Sequence, residues 1–202
     1  MDMQVLRFDT ATYSKLNGKL TILYMDIKYI IAKILSRFSK DRHEYMSDFF
    51  RKAGVSVGKG CNITSNIKSS ECYLISIGDN TTISTEVLFI NHDASVGKIF
   101  GKENGSDICG RITVGNNCFI GARATLLYGV TLADNVIVAA GSVVVKSVPT
   151  PNVIVGGNPA KVIGTWESFA EKTKDNVLKL HGKKGEAAKI EILKNQDKLI
   201  KR

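Results

Sequence analysis

Residues 112–148 read ITVGNNCFIGARATLLYGVTLADNVIVAAGSVVVKSV, and an aliphatic residue recurs in this stretch at every sixth position. The series is Val114, Ile120, Leu126, Leu132, Val138 and Val144. A period of six is neither helical nor the simple alternation of a strand. It predicts short strands joined by tight turns, each strand sending one aliphatic side chain inward, with glycines such as Gly115 and Gly121 in the turns. Three such strands would make one coil of eighteen residues.

The same pattern extends towards the N-terminus. Its earlier members are Val57, Ile63, Ile77, Ile83 and Phe89. The step of fourteen from Ile63 to Ile77 indicates a two-residue insertion, and residues 95–111 lack the pattern and predict a loop excursion. The fold class predicted is therefore an all-β solenoid over residues 54–164. Helical extensions at 1–53 and 165–202 are expected to cover its ends, because a stack of repeats exposes its terminal coils.

Charge is distributed unevenly along the chain, whose formal net charge is +9. Residues 1–53 contain 10 Lys or Arg and 6 Asp or Glu, residues 54–164 contain 8 and 7, and residues 165–202 contain 10 and 6. A nucleic-acid-binding domain would carry its basic residues on a folded face with aromatic residues between them. The nearly neutral repeat region argues against nucleic acid as a partner.

Residues 20–35, LTILYMDIKYIIAKIL, form the most apolar segment of the N-terminal extension. Asp26, Lys28 and Lys33 interrupt it well short of the ~20 apolar residues that a membrane span needs. A helix here would carry Ile27, Ile30, Ile31, Ile34 and Leu35 on one side and Lys28 and Lys33 on another. We expect this amphipathic helix to pack on the protein's own body or on a partner; peripheral contact with a membrane surface is the alternative.

Four cysteines, Cys61, Cys72, Cys109 and Cys118, form no CxxC pair and have no histidine at ligand spacing. No metal site is therefore predicted. The first nineteen residues carry acidic side chains and no apolar run, unlike a secretory signal. The expected location is cytoplasmic, with reduced thiols, or peripheral to the membrane if residues 20–35 bind lipid.

The stretches IGDNTTI (77–83), INHD (90–93) and ITVGNNCFIGARATLLYGVTLADNVIVAAGSVVVKSVPTPNVIVGGNPAKVIG (112–164) resemble the hexapeptide-repeat acyltransferases. Similarity is greatest to the galactoside, maltose and bacterial polysaccharide O-acetyltransferases. The resemblance implies a left-handed parallel β-helix, a homotrimer with active sites between subunits, acetyl-CoA as co-substrate and a saccharide acceptor.

An acceptor hydroxyl needs a base to take its proton as it attacks a thioester, and histidine suits that task. His43 and His181 lie in charged runs, whereas His92 points out of the repeat and directly precedes the excursion. The resemblance implies that His92 is the general base. Three neighbouring residues, Asp93, Asn91 and Glu86, or a backbone carbonyl, are candidates for orienting its ring.

The resemblance also implies a coenzyme site along the later coils. Its residues would be Phe119, Ala122, Ala140, Gly141, Ser142, Lys146, Pro159 and Lys161. The small side chains would let backbone groups meet the pantetheine arm. The lysines would face the coenzyme phosphates, and Pro159 would lie near the adenine.

Direct transfer from acetyl-CoA to a saccharide hydroxyl is the first hypothesis for the function. N-acetylation of an amino sugar is an alternative enzymatic reaction, and a non-catalytic trimeric scaffold is an alternative from another class. The acceptor itself is left open, because the composition of the excursion does not encode a sugar.

Overall fold

The computed structural model describes residues 18–101 and 107–200, and short strands that pair in parallel form most of it. The strands are β1 (Ser56–Val57), β2 (Asn62–Ile63), β3 (Ile75–Ile77), β4 (Thr82–Ile83), β5 (Leu88–Ile90), β6 (His92–Asp93), β7 (Ile108–Cys109), β8 (Ile112–Val114), β9 (Phe119–Ile120), β10 (Thr125–Leu127), β11 (Thr131–Leu132), β12 (Ile137–Val138), β13 (Val143–Val144), β14 (Val153–Gly157) and β15 (Ala160–Thr165). Sheet A has the order β1-β3-β8-β11, sheet B β15-β14-β12-β9-β4-β2, and sheet C β13-β10-β5. The chain passes through sheets A, B and C in turn and then returns to sheet A.

Strand register measures the length of each coil. Val114 pairs with Leu132, Ile120 with Val138 and Leu126 with Val144, each eighteen positions later. The predicted hexapeptide periodicity is thereby confirmed as parallel pairing between successive coils.

The coils on the N-terminal side are longer. Ile63 pairs with Ile83 twenty positions later, which confirms the two-residue insertion. Ile77 pairs with Val114 after thirty-seven positions, so the excursion adds nineteen residues to one coil.

The aliphatic ladder forms the core, as predicted. Every member of the hexad series from Val57 to Val144 is at most 9% exposed. At the turns, Asn80, Asn117 and Asn135 adopt left-handed backbone conformations with φ between 52° and 59°, which asparagine tolerates better than most residues. The Asn117 side chain donates to that of Asn135 over 2.7 Å, linking equivalent turns of adjacent coils.

Five α-helices lie within the described residues. They are α1 (Gly18–Leu35), α2 (Arg42–Lys52), α3 (Gly97–Phe100), α4 (Trp166–Thr173) and α5 (Gly185–Lys194). Helix α2 covers the first coil with the buried rings of Phe49 and Phe50. The guanidinium of Arg51 donates to the carbonyl oxygens of Val57 and Gly58 over 2.8 and 2.6 Å. A helix therefore covers the N-terminal end of the stack.

Helix α1 packs on the protein's own body, which is one of the expected alternatives, but not through its apolar stripe. Its isoleucines do not face the body: Ile27, Ile30, Ile31 and Ile34 are 41–55% exposed, whereas Lys28 and Ala32 on the opposite side are buried. Tyr29 attaches the helix to the body of the protein. Its ring contacts the Phe49 and Phe50 rings, and its hydroxyl donates to the Thr64 carbonyl over 2.8 Å. The small Ala32 side chain lets this face approach closely, so the apolar stripe is left outside.

The chain divides into two compact units, Met1–Ile163 and Gly164–Arg202. In the second unit Thr165 caps α4 through a reciprocal pair of hydrogen bonds with Ser168. No helix within residues 18–101 and 107–200 is long and apolar enough to span a bilayer.

Candidate active site

His92 stands where the chain leaves sheet C for the excursion. Its strand β6 pairs antiparallel with β7, His92 opposite Cys109 and Asp93 opposite Ile108. This two-stranded stem leads into a short 3-10 turn at Ala94–Val96 and helix α3. The chain departs from the three parallel sheets here, and residues 102–106 lie outside the described part of the chain.

Glu71 holds the His92 ring. Its Oε2 lies 2.8 Å from His92 Nδ1, and the two side chains are 22% and 43% exposed respectively. Partial burial raises the pKa of Glu71, but hydrogen bonds from Ser70 and His92 outweigh it and leave this pKa below its ordinary value. An ionised carboxylate can only accept, so Nδ1 carries the proton and, in neutral imidazole, Nε2 is a free acceptor.

Asn91 fixes the position of Glu71. Its side chain is 1% exposed, accepts from the Ser69 hydroxyl over 2.8 Å and donates to the Glu71 carbonyl over 2.8 Å. The Ser69 hydroxyl in turn accepts from the Glu71 backbone N–H over 3.0 Å. The Ser69–Asn91 pair therefore clamps the segment that presents the carboxylate, and the hydrogen bonds of the Asn91 side chain go to this segment.

The other predicted orienting residues have different partners. Asp93 caps the turn at Ser95 over 2.8 Å and accepts from the Tyr128 hydroxyl over 3.2 Å. Glu86 is held 2.6 Å from the Arg123 guanidinium at the other end of sheet C. The expectation that either carboxylate orients the ring is corrected in favour of Glu71.

Sequence reasoning missed Glu71, although two signals point to it. It lies in the segment between β2 and β3 that contains the two-residue insertion, about one coil before His92 along the chain. Because neighbouring coils stack in register, a residue one coil earlier lies at the same corner of the stack. A carboxylate in an interruption of the repeat, one coil from a histidine, could have been recognised.

The predicted coenzyme residues occupy two corners of the stack. We call the turns that lead from sheet B to sheet C, residues 84–87, 121–124 and 139–142, the B–C corner. Ala122, Ala140 and Gly141 lie there, and the exposed Phe119 precedes it on β9. At this corner a Cβ on Gly121 would come within 2.6 Å of the Ala140 nitrogen, so the close stacking requires glycine.

Three further predicted residues lie around the B–C corner and β14. Ser142 is buried, and its hydroxyl accepts from the Gly157 N–H over 3.2 Å, so this side chain serves the packing of the coil. Pro159 and Lys161 are exposed at and just after the turn between β14 and β15.

Lys146 lies with His92 at the turns that lead from sheet C to sheet A, residues 91–93, 128–130 and 145–147, which we call the C–A corner. Neighbouring strands lie about 4.8 Å apart, so Lys146, two coils further, stands roughly 10 Å along the stack from His92. Within a coil, a strand of two or three residues separates the two corners by about 7–10 Å. One chain therefore does not bring His92 and the B–C corner residues together.

A cavity of about 800 Å³ opens between α1 and the B–C corner of the first three coils. Asp26 lines the cavity, and its carboxylate accepts from the Asn66 side chain over 2.8 Å and pairs with the Lys68 ammonium at 2.8 Å. The Glu86–Arg123 pair, the Lys33 ammonium and the Tyr29 ring also line it. Its volume lies within the range of small-ligand sites.

The four cysteines are free thiols; Cys61, Cys72 and Cys118 are buried, and Cys109 is exposed. Burial raises the pKa of each of the three buried thiols. Within the described residues, no group of three or more His, Cys, Asp or Glu side chains is arranged to hold a metal ion.

Comparison with known proteins places the repeat in a family. Residues 111–146 match the model described as the hexapeptide repeat of succinyl-transferase. The chain is 47% identical over 153 residues to protein CapG of Staphylococcus aureus, an alignment that covers 74% of this chain and 85% of CapG. It is 32% identical over 117 residues to the galactoside O-acetyltransferase of Escherichia coli K12, covering 55% of this chain and 54% of that enzyme.

One solved structure, a galactoside acetyltransferase in complex with coenzyme A, has a related fold. The TM-score is 0.51 at 24% sequence identity, and the match covers 74% of this chain and 84% of the known one. At this identity the likeness concerns the fold.

Proposed function

Because this chain belongs to the hexapeptide-repeat acyltransferase family, we propose that it transfers an acetyl group from acetyl-CoA to a hydroxyl of a saccharide. The observation that carries the proposal is the His92–Glu71 pair, a histidine held through Nδ1 by an ionised carboxylate. This arrangement leaves Nε2 as a proton acceptor at the surface of the stack. It is the arrangement that general-base catalysis on an alcohol requires.

In the proposed reaction, Nε2 of His92 takes the acceptor hydroxyl proton as the oxygen attacks the thioester carbonyl carbon. The carbon–sulfur bond then breaks, and the imidazolium returns the proton to the departing thiolate. The Glu71 carboxylate keeps the ring in one orientation and stabilises the imidazolium. His92 both takes up and returns the proton, so no serine or cysteine nucleophile is needed.

Asn91 is assigned the role of a positioning residue in this proposal. A buried amide that bonds both Ser69 and the Glu71 backbone limits the freedom of the carboxylate. Misplacement of a catalytic group by about 1 Å can lower a rate by about a hundredfold. The rate should therefore depend on Asn91 although it does not touch the ring.

The active site in this proposal lies between subunits of a homotrimer of left-handed β-helices, as the family resemblance implies. The separation of His92 from the B–C corner supports it, since a second copy could supply the wall that one chain lacks. The outer face of sheet C between the two corners carries the exposed Leu88, Ile90 and Val145, which suits burial at an interface. Lys161, Phe119 and the small residues of the B–C corner would then bind acetyl-CoA.

The cavity beside α1 is the proposed acceptor site. It lies at the same corner as the coenzyme residues, towards the first coils. Paired charges around Asp26 and Glu86 offer hydrogen-bonding groups to sugar hydroxyls, while Tyr29, Ile30 and Leu88 offer apolar surface. Ligand sites commonly combine an apolar lining with a few placed polar groups.

The experiment is acetyl transfer to a panel of neutral and amino saccharides, with products identified by mass spectrometry. Thiol-reactive detection of released coenzyme A would also label the exposed Cys109, so product mass is the better measurement. We expect the wild type to form an O-acetylated saccharide and His92→Ala to form it at least about a hundredfold more slowly. Acetylation of amino groups alone, or equal product from His92→Ala, would contradict the proposal.

A further inference from the structure

Helix α1 presents its apolar side to solvent. The isoleucine face, which comprises Ile27, Ile30, Ile31 and Ile34, points away from the buried Ala32 side of the helix. Phe38, just after the helix, is 84% exposed. A helix on a globular protein normally turns its apolar stripe towards the core. Four exposed isoleucines and a phenylalanine in one segment indicate a surface that is covered by something else.

The surroundings of this face are basic. Residues 26–42 contain five Lys or Arg and two Asp. Lys33, Arg37 and Lys40 are exposed, whereas Asp26 is already paired with Lys68 at 2.8 Å. The repeat region has 8 basic and 7 acidic residues, so the positive charge around α1 is not shared by the coils on which the helix packs.

We propose that the isoleucine face docks on an anionic lipid bilayer, with α1 lying in the plane of the headgroups. Apolar side chains on one face and Lys or Arg beside them are the features of a helix that binds at this depth. Anionic headgroups complement the exposed cations, each of which contributes to binding. A second copy of the chain would bring the same positive charges to the contact and fits less well.

The binding is peripheral, because no helix in the described part of the chain can span a bilayer. Ile30 of this face and the flanking Lys33 also line the cavity beside α1. The apolar test therefore uses Ile27 and Ile34, which line neither that cavity nor the His92 site.

The test is flotation of the full-length protein with vesicles. One set contains phosphatidylcholine and phosphatidylglycerol in equal parts, and the other contains phosphatidylcholine alone. The wild type should float with the anionic vesicles and weakly or not at all with the neutral ones. Arg37→Gln with Lys40→Gln should weaken binding by about fivefold for each charge removed.

The apolar contribution has a matched control within the chain. Ile27 and Ile34 are 48% and 52% exposed, and Ile190 and Leu193 of α5 are also 48% and 52% exposed. The double variant Ile27→Ser, Ile34→Ser should lower anionic-vesicle binding by roughly tenfold or more, since each side chain loses apolar burial. The double variant Ile190→Ser, Leu193→Ser should bind as the wild type does.

Acetyl transfer to a soluble saccharide, measured on the same samples, separates this inference from the proposed function. Both double variants should keep the wild-type rate. Equal loss of vesicle binding in the two pairs, or no binding by the wild type, would overturn the inference. If light scattering showed that only the α1 pair changes the oligomeric state while vesicles bind nothing, a second copy would be the occupant.

Discussion

The regular coils between Ile112 and Val148 contrast with the two interruptions, at residues 64–74 and 91–111. In the regular coils each hexad places one aliphatic side chain in the core, and residues that pair between strands stay eighteen positions apart. In the interruptions the chain departs from sheets A, B and C, and there it presents His92, Glu71 and the clamp of Ser69 and Asn91. Regularity forms the core, while the candidate chemistry lies where the repeat breaks.

This contrast has a physical basis. A stacked repeat directs side chains at fixed intervals, and its turns stack tightly enough that Gly121 cannot carry a Cβ. Polar side chains at such turns pair with the equivalent turn of the adjacent coil, as Glu86 does with Arg123. The inserted segment before β3 adds a pair outside this pattern, because it lets Glu71 reach the ring of a residue one coil later.

The largest effect should come from the interruption that carries the base. His92→Ala should lower kcat by roughly 10²–10⁴-fold, the usual contribution of a positioned base. Far-ultraviolet circular dichroism should be unchanged, because the ring is partly exposed. His43→Ala, at an exposed position of α2, is the matched control. An equal loss of kcat in both variants would remove His92 from the mechanism.

Substitutions in the regular coils should change the free energy of unfolding. Leu132→Ala, at a core position that is 1% exposed, should lower the free energy of unfolding by about 2–5 kcal/mol. Thr131→Ala, next to it on the exposed side of β11, should change this free energy by about 0.5 kcal/mol or less. Urea unfolding of both variants measures the difference. Equal values would mean that the ladder is not the stabilising core.

Sequence reasoning was most successful in the regular coils and least successful at the interruptions. Burial of the hexad series and the two-residue insertion follow from periodicity, because each repeat meets the same packing requirement. The partner of His92 did not follow, since a hydrogen bond between coils depends on how an inserted segment folds back. The nearest carboxylate in sequence, Asp93, instead caps its own turn at Ser95.

The sequence also left open whether the apolar stripe of α1 faces the body, a partner or a membrane. Apolar periodicity identifies a stripe but not what it faces, and here Tyr29 and Ala32 determine how the helix sits. The direction of the isoleucine face therefore needed the structure.

Glu71→Gln tests the pair at the interruption. It keeps the shape of the side chain but removes the charge that fixes the ring, and kcat should fall by up to about a hundredfold. The folded-state pKa of Glu71 lies below its ordinary value of 4.5, so its charge stabilises the fold above that pH. This contribution is lost as pH falls through the lower, folded-state pKa.

The stability difference between wild type and Glu71→Gln should accordingly be largest near neutral pH and shrink in acid. Thermal unfolding across this pH range measures it, with Glu86→Gln as the matched control. A difference that grows as pH falls would contradict the assignment of an ionised Glu71.

Asn91→Ala should lower kcat by about tenfold through misplacement of Glu71. If the role of Asn91 were purely structural, its substitution would lower stability, and the effects of Asn91→Ala and Glu71→Gln on kcat would be additive in the double variant. If Asn91 acts through Glu71, its effect on kcat should be much smaller in a Glu71→Gln background. Steady-state kinetics of the two single variants and the double variant decide between these outcomes.

The smallest effect should come from the end of the regular stack. Lys161→Ala should raise the apparent KM for acetyl-CoA by about five- to tenfold, as expected for one exposed contact between a lysine and a phosphate. The contact is remote from the thioester and equal in ground and transition states, so kcat should stay near the wild-type value. The effect should shrink at high salt, where screening already weakens the wild-type contact.

Lys59→Ala, exposed at the opposite end of the stack, is the control and should leave both constants unchanged. If Lys161→Ala raised the KM of the acceptor and left that of acetyl-CoA unchanged, the coenzyme would not lie along the last coils. Function would then depend on the interruptions alone, and the regular coils would serve only to hold them.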